Sequence, residues 1–201
     1  MIGGALLVIV AAGTVGLAFR GASASRAITA LPDYGVLPDF SLTNQHGQPI
    51  SRAQLAGSVW IADFIFTRCA GQCPLMSEQM GRLQTAFGQT PGPRLVSFSV
   101  DPDHDTPEVL ATYAKRYGAQ ASRWQFVTGS NAAVAQLAQQ GFHLAFGEGH
   151  ASVQEPITHS VRFVLIDQQG HIRGYYDATD DRAMITLHDD AWRLLRGVKT
   201  S

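Results

Sequence analysis

The chain of 201 residues carries 15 basic and 16 acidic side chains, and 45% of its residues are hydrophobic. This length is typical of one domain with a short extension, and the net charge of −1 excludes an overall basic field for nucleic acid and an acidic tail. Two cysteines are too few for the disulfide scaffold of small secreted domains. Charged residues amount to 15%, against about 25% in an ordinary soluble domain, and the shortage is concentrated near the N-terminus.

Residues 1–20 are predicted to form a transmembrane anchor or a signal sequence. Ile2–Phe19 contains no charged side chain, and as a helix it would span about 27 Å, near the lower limit for a bilayer. Ala22–Ala24 fits a signal cleavage site, and a buried core helix is a third alternative. Arg20 and Arg26 follow the apolar segment and no Lys or Arg precedes it, so the positive-inside rule alone would place the following domain in the cytoplasm. Residues 21–35 are small, polar and turn-rich, and are predicted to be a linker.

Residues 36–201 are predicted to form one α/β domain. Alternating polarity around a Gly-containing turn indicates an N-terminal β-hairpin, short apolar segments indicate buried strands, and apolar residues at spacings of three and four indicate helices. The predicted elements are a hairpin over 40–51, strands over 59–66, 94–100, 124–128, 161–167 and 171–176, and helices over 74–87, 106–117, 131–140 and 182–196. The final hairpin makes the sheet mixed, and this order is typical of a thioredoxin-like fold with a mixed central sheet flanked by helices.

The two cysteines stand in the sequence Cys69-Ala-Gly-Gln-Cys73, where a predicted strand is followed by a helix. Pro74 suits the first helical position, which would place Cys73 at or next to the N-cap, near unpaired N–H groups and the positive end of the helix dipole. That environment, with Arg68 beside it, favours the thiolate that attacks disulfides and binds soft metals. Two buried apolar cysteines and a structural disulfide are the alternatives, although a disulfide in so small a loop adds little stability. The pair therefore indicates a redox or metal site.

Histidine is the natural third ligand for such a pair, since a Cys₂His set favours copper or zinc. His159 directly precedes the predicted strand over 161–167, and in a thioredoxin-like sheet the loop entering that strand faces the cysteine-bearing helix. His150, in the same irregular loop, is a secondary candidate. The run 101–105 is rich in Asp and contains His104, but its spacing matches no calcium loop and it is interpreted first as a turn before a helix cap. The histidines predicted to be solvated are His46, His171 and His188.

Three motifs resemble those of the Sco/SenC family. DFIFTRCAGQCP (63–74) resembles the family's cysteine motif, SFSVDP (97–102) with DTP (105–107) resembles its second motif, and THS (158–160) before VRFVLID resembles its third. They occur in the family order, and the resemblance covers about residues 38–196. A CxxxC pattern alone would be weak, whereas the combination is specific.

The resemblance implies a thioredoxin-like domain, tethered by one N-terminal membrane helix, that binds copper as Cu(I) or Cu(II). It implies that Cys69, Cys73 and His159 are the copper ligands and that the cysteines cycle between dithiol and disulfide, while Asp101 and Pro102 shape the neighbouring loop. The implied partners are cytochrome c oxidase subunit II, whose binuclear copper centre the family helps to assemble, an upstream copper donor and a thiol reductant. The domain is expected on the periplasmic side of the inner membrane, or in the mitochondrial intermembrane space, and this implication overrides the charge-based topology.

Three functions fit these features. The first is a copper metallochaperone, a binding and transfer protein rather than a strict enzyme. The second is a thiol–disulfide oxidoreductase that reduces the cysteines of the copper acceptor. A pure dithiol reductase does not need His159, whereas a copper site does, so this histidine favours the first function. A peroxidase of the thioredoxin superfamily is a third class without specific support.

Overall fold

The computed structural model of the chain describes residues 30–88, 91–144 and 161–197. The predicted anchor or signal sequence, residues 1–20, lies outside the described residues. None of the helices in the described ranges combines the length and hydropathy needed to cross a membrane. The elements are β1 (Ser41–Asn44), β2 (Pro49–Ser51), α1 (Arg52–Leu55), β3 (Trp60–Ile65), α2 (Gln72–Phe87), β4 (Arg94–Ser99), α3 (Pro107–Arg116), β5 (Trp124–Thr128), α4 (Asn131–Gln136), a π-helical turn (Leu137–Gly141), β6 (Arg162–Ile166), β7 (Ile172–Asp177) and α5 (Asp181–Leu195).

The strands form one mixed sheet in the order β2-β1-β5-β4-β3-β6-β7. The central strands β3, β4 and β5 are parallel, and the outer strands run antiparallel to their neighbours. The predicted N-terminal hairpin forms one edge and the final hairpin forms the other. The predicted α/β fold with a mixed central sheet flanked by helices is therefore confirmed in the described part of the chain.

The strand that leads to the cysteines, β3, is buried along its whole length because both faces of the sheet are covered. Its side chains alternate between two apolar layers. Ile61 and Ile65 belong to the layer that contains residues of α2, α3 and α5, whereas Trp60 and Phe64 belong to the layer with α1 and α4. By the same alternation Asp63 lies on the face of Ile61 and Ile65, so one carboxyl group is directed into the apolar layer beneath α2.

The helix α2 begins two residues earlier than predicted. Its first residue is Gln72 and its N-cap is Gly71, so Cys73 lies inside the first turn rather than at the cap. Pro74 is accommodated there because the first N–H groups of a helix have no intrahelical partner. The buried side of α2 therefore already includes the second cysteine.

Two short elements are not predicted from the sequence. The helix α1 follows β2 directly, with the Ser51 hydroxyl accepting a hydrogen bond from the Gln54 N–H (3.4 Å). The predicted helix over 131–140 is regular only as far as Gln136 and continues as the π-helical turn. The Phe142 N–H there donates to the Leu137 carbonyl, five residues earlier (3.0 Å).

The last residues of the predicted linker are attached to the sheet. The Tyr34 N–H donates to the Ile172 carbonyl and the Ile172 N–H donates to the Gly35 carbonyl, each at 2.9 Å. Asp33 lies 2.8 Å from the Nδ1 atom of His171 and 3.4 Å from the guanidinium of Arg173. The chain therefore joins the domain along β7 before residue 36.

Candidate metal site in the cysteine loop

The two cysteines lie in, and just after, the loop that joins β3 to α2. Cys69 is half-buried in this loop, whereas Cys73 is 3% exposed and packs in the apolar layer beneath α2. Both are free thiols, and their side chains are within hydrogen-bonding reach of each other. An accessible sulfur beside a buried sulfur forms a two-thiol site whose donor set fits a soft metal ion.

Burial determines the acidity of the second thiol. Loss of solvation raises the pKa of Cys73 well above its ordinary value, and the nearby Cys69 and Asp63 raise it further. A hydrogen bond with the backbone of Phe66 acts in the opposite direction and does not compensate. The predicted lowering of the pKa by the helix N-terminus is therefore wrong for Cys73, because the helix start carries this residue into the core. A bound cation would supply the positive charge that ionises such a thiol.

A fully buried carboxyl group lies near this thiol and is missed by the sequence prediction. Neither oxygen of Asp63 makes a hydrogen bond of regular geometry within the described ranges. Burial raises the pKa of Asp63 to about 7, and weak hydrogen bonding from the Ser97 hydroxyl, opposite it on β4, and from the backbone lowers the pKa only in part. The Ser97 oxygen accepts a hydrogen bond from the indole N–H of Trp124 (2.9 Å). The available signal is an acidic residue inside the otherwise apolar segment VWIADFIF.

The second motif holds the cysteine loop from the adjacent connection between β4 and α3. Asp105 is 0% exposed and accepts hydrogen bonds from the Thr67 N–H (3.1 Å), the Thr67 hydroxyl and the Ser99 hydroxyl (2.6 Å). The next residue, Arg68, forms an ion pair with Asp101, with its Nη2 atom 2.6 Å from the carboxylate. Each of the two residues before the first cysteine is thus bound by a carboxylate of the second motif.

Among the described residues, the side chains of Asp101, His104 and Asp105 form a group whose potential ligand atoms lie within 4.8 Å of one another. These atoms have protein partners already. Asp101 binds Arg68, and the Nδ1 atom of His104 lies 3.0 Å from Asp105. Asp105 also accepts hydrogen bonds from Thr67 and Ser99. The backbone of the segment turns through bonds from the N–H groups of His104 and Asp105 to the Asp101 carbonyl, and Thr106 caps α3. The geometry agrees with the interpretation of this run as a turn before a helix cap.

The third predicted ligand, His159, lies outside the described residues. The strand β6, which follows it, pairs antiparallel with β3, and the register opposes Ala62 to Val164. The start of β6 therefore lies beside the end of β3, where the cysteine loop begins. Val161 packs against the same apolar layer as the cysteines.

The other histidines are dispersed over the fold. His46 is exposed in the turn between β1 and β2. His171 is half-buried and pairs with an aspartate of the N-terminal segment, and the Nε2 atom of His188 accepts a hydrogen bond from the Trp192 indole (3.1 Å). His150 lies outside the described residues.

Comparison with known proteins shows a family match over most of the chain, because residues 30–190 match SCO1/SenC. The SCO1 protein homolog of Bacillus subtilis is 32% identical over 160 residues, which are 79% of this chain and 79% of that protein. A protein of Stutzerimonas stutzeri named for copper binding is 33% identical over 158 residues, which are 74% of this chain and 72% of its own.

The fold also matches a solved structure of a Sco protein. BsSco, a member of the Sco family of cytochrome c oxidase assembly proteins in which a disulfide switch was identified, has a TM-score of 0.70 at 28% identity. The match covers 81% of this chain and 97% of that one. The thioredoxin-like Sco fold and the resemblance inferred from the three motifs are confirmed: the chain belongs to the SCO1/SenC family.

Proposed function

We propose that this protein binds copper through Cys69, Cys73 and His159 and delivers it to the binuclear copper centre of cytochrome c oxidase subunit II. The observation that supports this most directly is the adjacent pair of free thiols at the start of α2, one accessible and one buried. Thiolates select soft ions such as Cu(I), and an imidazole nitrogen also makes Cu(II) acceptable. Relatives named for copper binding and for membership of an oxidase-assembly family support the same function.

The pairing of β6 with β3 supports the inclusion of His159. His159 stands two residues before Val161, and two residues of extended chain span at most about 7 Å. Val161 itself packs with the apolar layer that holds the cysteines. A histidine so close in sequence to the cysteine end of the sheet has the reach to complete a three-ligand set.

The exposures of the two sulfurs suggest the order of copper transfer. Cys69 is the sulfur that an incoming copper donor reaches first, and Cys73 must lose its proton inside the apolar layer. All three ligands bind copper in deprotonated form, so copper binding releases protons and the copper affinity falls at low pH. Release proceeds by ligand exchange, in which thiolates of the acceptor replace those of this protein in turn, beginning at the accessible Cys69.

The proposal includes a location at a membrane. Residues 1–20 would anchor the domain at the inner membrane, facing the periplasm or the intermembrane space, with a cleaved signal sequence as the alternative. The charge-free segment Ile2–Phe19 supports this, and the absence of basic residues before it is a departure from the usual pattern. Membrane fractionation followed by carbonate extraction tests the anchor, and recovery of the intact chain in the soluble fraction would contradict it.

The second candidate is a thiol–disulfide oxidoreductase that reduces the copper acceptor. An accessible thiol beside a buried one suits this reaction, and the disulfide switch identified in BsSco favours it. The Cys69 thiolate would attack the acceptor disulfide, Cys73 would displace the mixed disulfide, and two electrons and two protons would pass to the acceptor as the Cys69–Cys73 disulfide forms. An external thiol reductant would then regenerate the pair.

Anaerobic titration of the full chain with Cu(I) and with Cu(II) tests the proposal. The wild-type protein is expected to bind one copper ion in each state, and His159→Ala is expected to lose most of its Cu(II) affinity. The matched control is His46→Ala, which removes an exposed histidine of the β1–β2 turn and should bind as the wild type does. Unchanged Cu(II) affinity in His159→Ala would remove His159 from the ligand set.

A parallel assay separates the two candidate functions. The reduced protein is mixed with an oxidised acceptor domain that carries the subunit II cysteines, without copper, and free thiols are counted in both partners. A wild-type protein that binds no copper but reduces the acceptor would refute the chaperone function and support the oxidoreductase.

A further inference from the structure

A carboxylate 36 residues after the first cysteine binds Thr67, which stands two residues before that cysteine. Asp105 is fully buried, and two of its four hydrogen-bond partners in the described structure belong to Thr67, through the backbone N–H (3.1 Å) and the hydroxyl. The other two are the Ser99 hydroxyl at the end of β4 (2.6 Å) and the Nδ1 atom of the neighbouring His104 (3.0 Å). Hydrogen bonds to an ionised acceptor are the strong ones, so this arrangement ties the start of the cysteine loop to the end of the neighbouring strand.

The rest of the loop has weaker restraints. Arg68 pairs with Asp101 through Nε and Nη2, but its side chain is 58% exposed although the Asp101 side chain is only 13% exposed, so solvent weakens this ion pair. The Cys69 N–H donates to the Phe66 carbonyl at 3.2 Å. The other sulfur, by contrast, is held by α2 and the core. The Thr67–Asp105 contact is therefore the buried restraint on where the Cys69 sulfur lies relative to the Cys73 sulfur.

We propose that Asp105 is the positioning residue of the cysteine pair, acting through Thr67 to hold the two sulfurs at the separation that both disulfide formation and metal capture require. The metal half of this inference rests on the proposed copper function, whereas the disulfide half does not. Without the contact, the loop of the reduced protein gains conformations in which the two sulfurs are too far apart to form a disulfide or to bind one metal ion. The disulfide form and the metal-bound form then become less favourable relative to the metal-free dithiol.

Four variants separate positioning from general stability. Asp105→Asn removes the charge and one acceptor site, and Thr67→Val removes only the hydroxyl while keeping the shape and the backbone bond. Thr67→Ser restores the hydroxyl. Asp103→Asn is the matched control, since Asp103 lies in the same connection and is exposed, accepting a hydrogen bond from Asn131 rather than from the cysteine loop.

The first measurement is the dithiol–disulfide equilibrium of the metal-free full chain in mild detergent. In buffers of oxidised and reduced dithiothreitol, the two cysteine thiols give two protons and two electrons to the dithiothreitol disulfide and form the Cys69–Cys73 bond. The equilibrium constant for closure is expected to fall about tenfold in Asp105→Asn, equivalent to about 30 mV for this two-electron couple. Thr67→Val should show a smaller fall in the same direction, and Thr67→Ser and Asp103→Asn should match the wild type.

The second measurement is Cu(II) titration of the same proteins, with the thiolate-to-copper absorption band as the readout. Weaker binding and a shifted band in Asp105→Asn and Thr67→Val, but not in Thr67→Ser or Asp103→Asn, are expected. If Asp105→Asn loses its near-UV circular dichroism and does not fold, the comparison of Thr67→Val with Thr67→Ser tests the positioning role.

The outcomes distinguish this inference from the proposed function. Wild-type closure constants in Asp105→Asn and Thr67→Val would overturn the positioning role even if copper binds. A Thr67→Ser variant as disturbed as Thr67→Val would overturn it too, because the effect would then be steric. If the wild type binds no copper but the closure constants change as expected, the positioning role stands and the copper function fails.

Discussion

Replacing Asp63 by asparagine is expected to stabilise the protein at pH 8 and not at pH 4. The carboxyl group is fully buried, and neither oxygen makes a hydrogen bond of regular geometry among the residues described. Burial raises the pKa of Asp63 from its ordinary 3.8 to about 7. The folded state thus keeps a proton that the unfolded chain releases between about pH 4 and pH 7. Between these pH values the unfolded state binds fewer protons than the folded state, so the unfolding free energy falls as the pH rises. Above about pH 7 both states have lost the proton, and the unfolding free energy becomes level.

The size of the effect follows from the two pKa values. At 1.36 kcal/mol for each unit of pKa, the change from 3.8 to about 7 corresponds to at most about 4 kcal/mol of unfolding free energy. The amide of Asp63→Asn does not titrate, so the difference in stability between variant and wild type should shift by up to this amount between pH 4 and pH 8. Groups that titrate equally in both proteins cancel in the difference.

Urea unfolding of the reduced, metal-free protein, followed by tryptophan fluorescence at several pH values, measures this difference. Asp103→Asn is the control because Asp103 is exposed, and its difference from the wild type should stay constant with pH. Parallel stability profiles for Asp63→Asn and the wild type would contradict this prediction, since the buried carboxyl would then be ionised without cost or solvated in the folded state.

Three further predictions follow from burial and capping. A thiol reagent added to the folded, reduced protein should modify Cys69 first and Cys73 only on unfolding, as peptide mass spectrometry would show, and equal rates would contradict the burial of Cys73. Phe98→Ala should cost about 3–5 kcal/mol in urea unfolding, because the ring is 0% exposed, whereas Ile185→Ala at an exposed site should change stability by less than about 0.5 kcal/mol. Thr106→Ala should cost about 1 kcal/mol through loss of the N-cap of α3, and an unchanged melting temperature would show that the cap contributes nothing.

Local patterns account for the parts of the fold that were predicted correctly. Alternating and continuous apolar segments indicate strands, and spacings of three and four indicate helices, because each pattern reflects which side of an element faces the core. The edges of elements are less well predicted. The sequence suggests that α2 starts at Pro74, but the helix starts at Gln72, since proline is tolerated throughout the first turn and therefore does not fix the first residue.

The family, the order of the elements and the two cysteines as a chemical site can be predicted from the chain alone, because motif spacing and hydrophobic period are local properties of the sequence. The weak acidity of Cys73 comes from the tertiary structure alone, because the fold buries the thiol and thereby raises its pKa. The tertiary structure also brings Asp105 to Thr67, because the two residues follow the ends of adjacent parallel strands. These features depend on residues far apart in sequence, and electrostatic solvation and long-range hydrogen bonds have no signature in a local pattern.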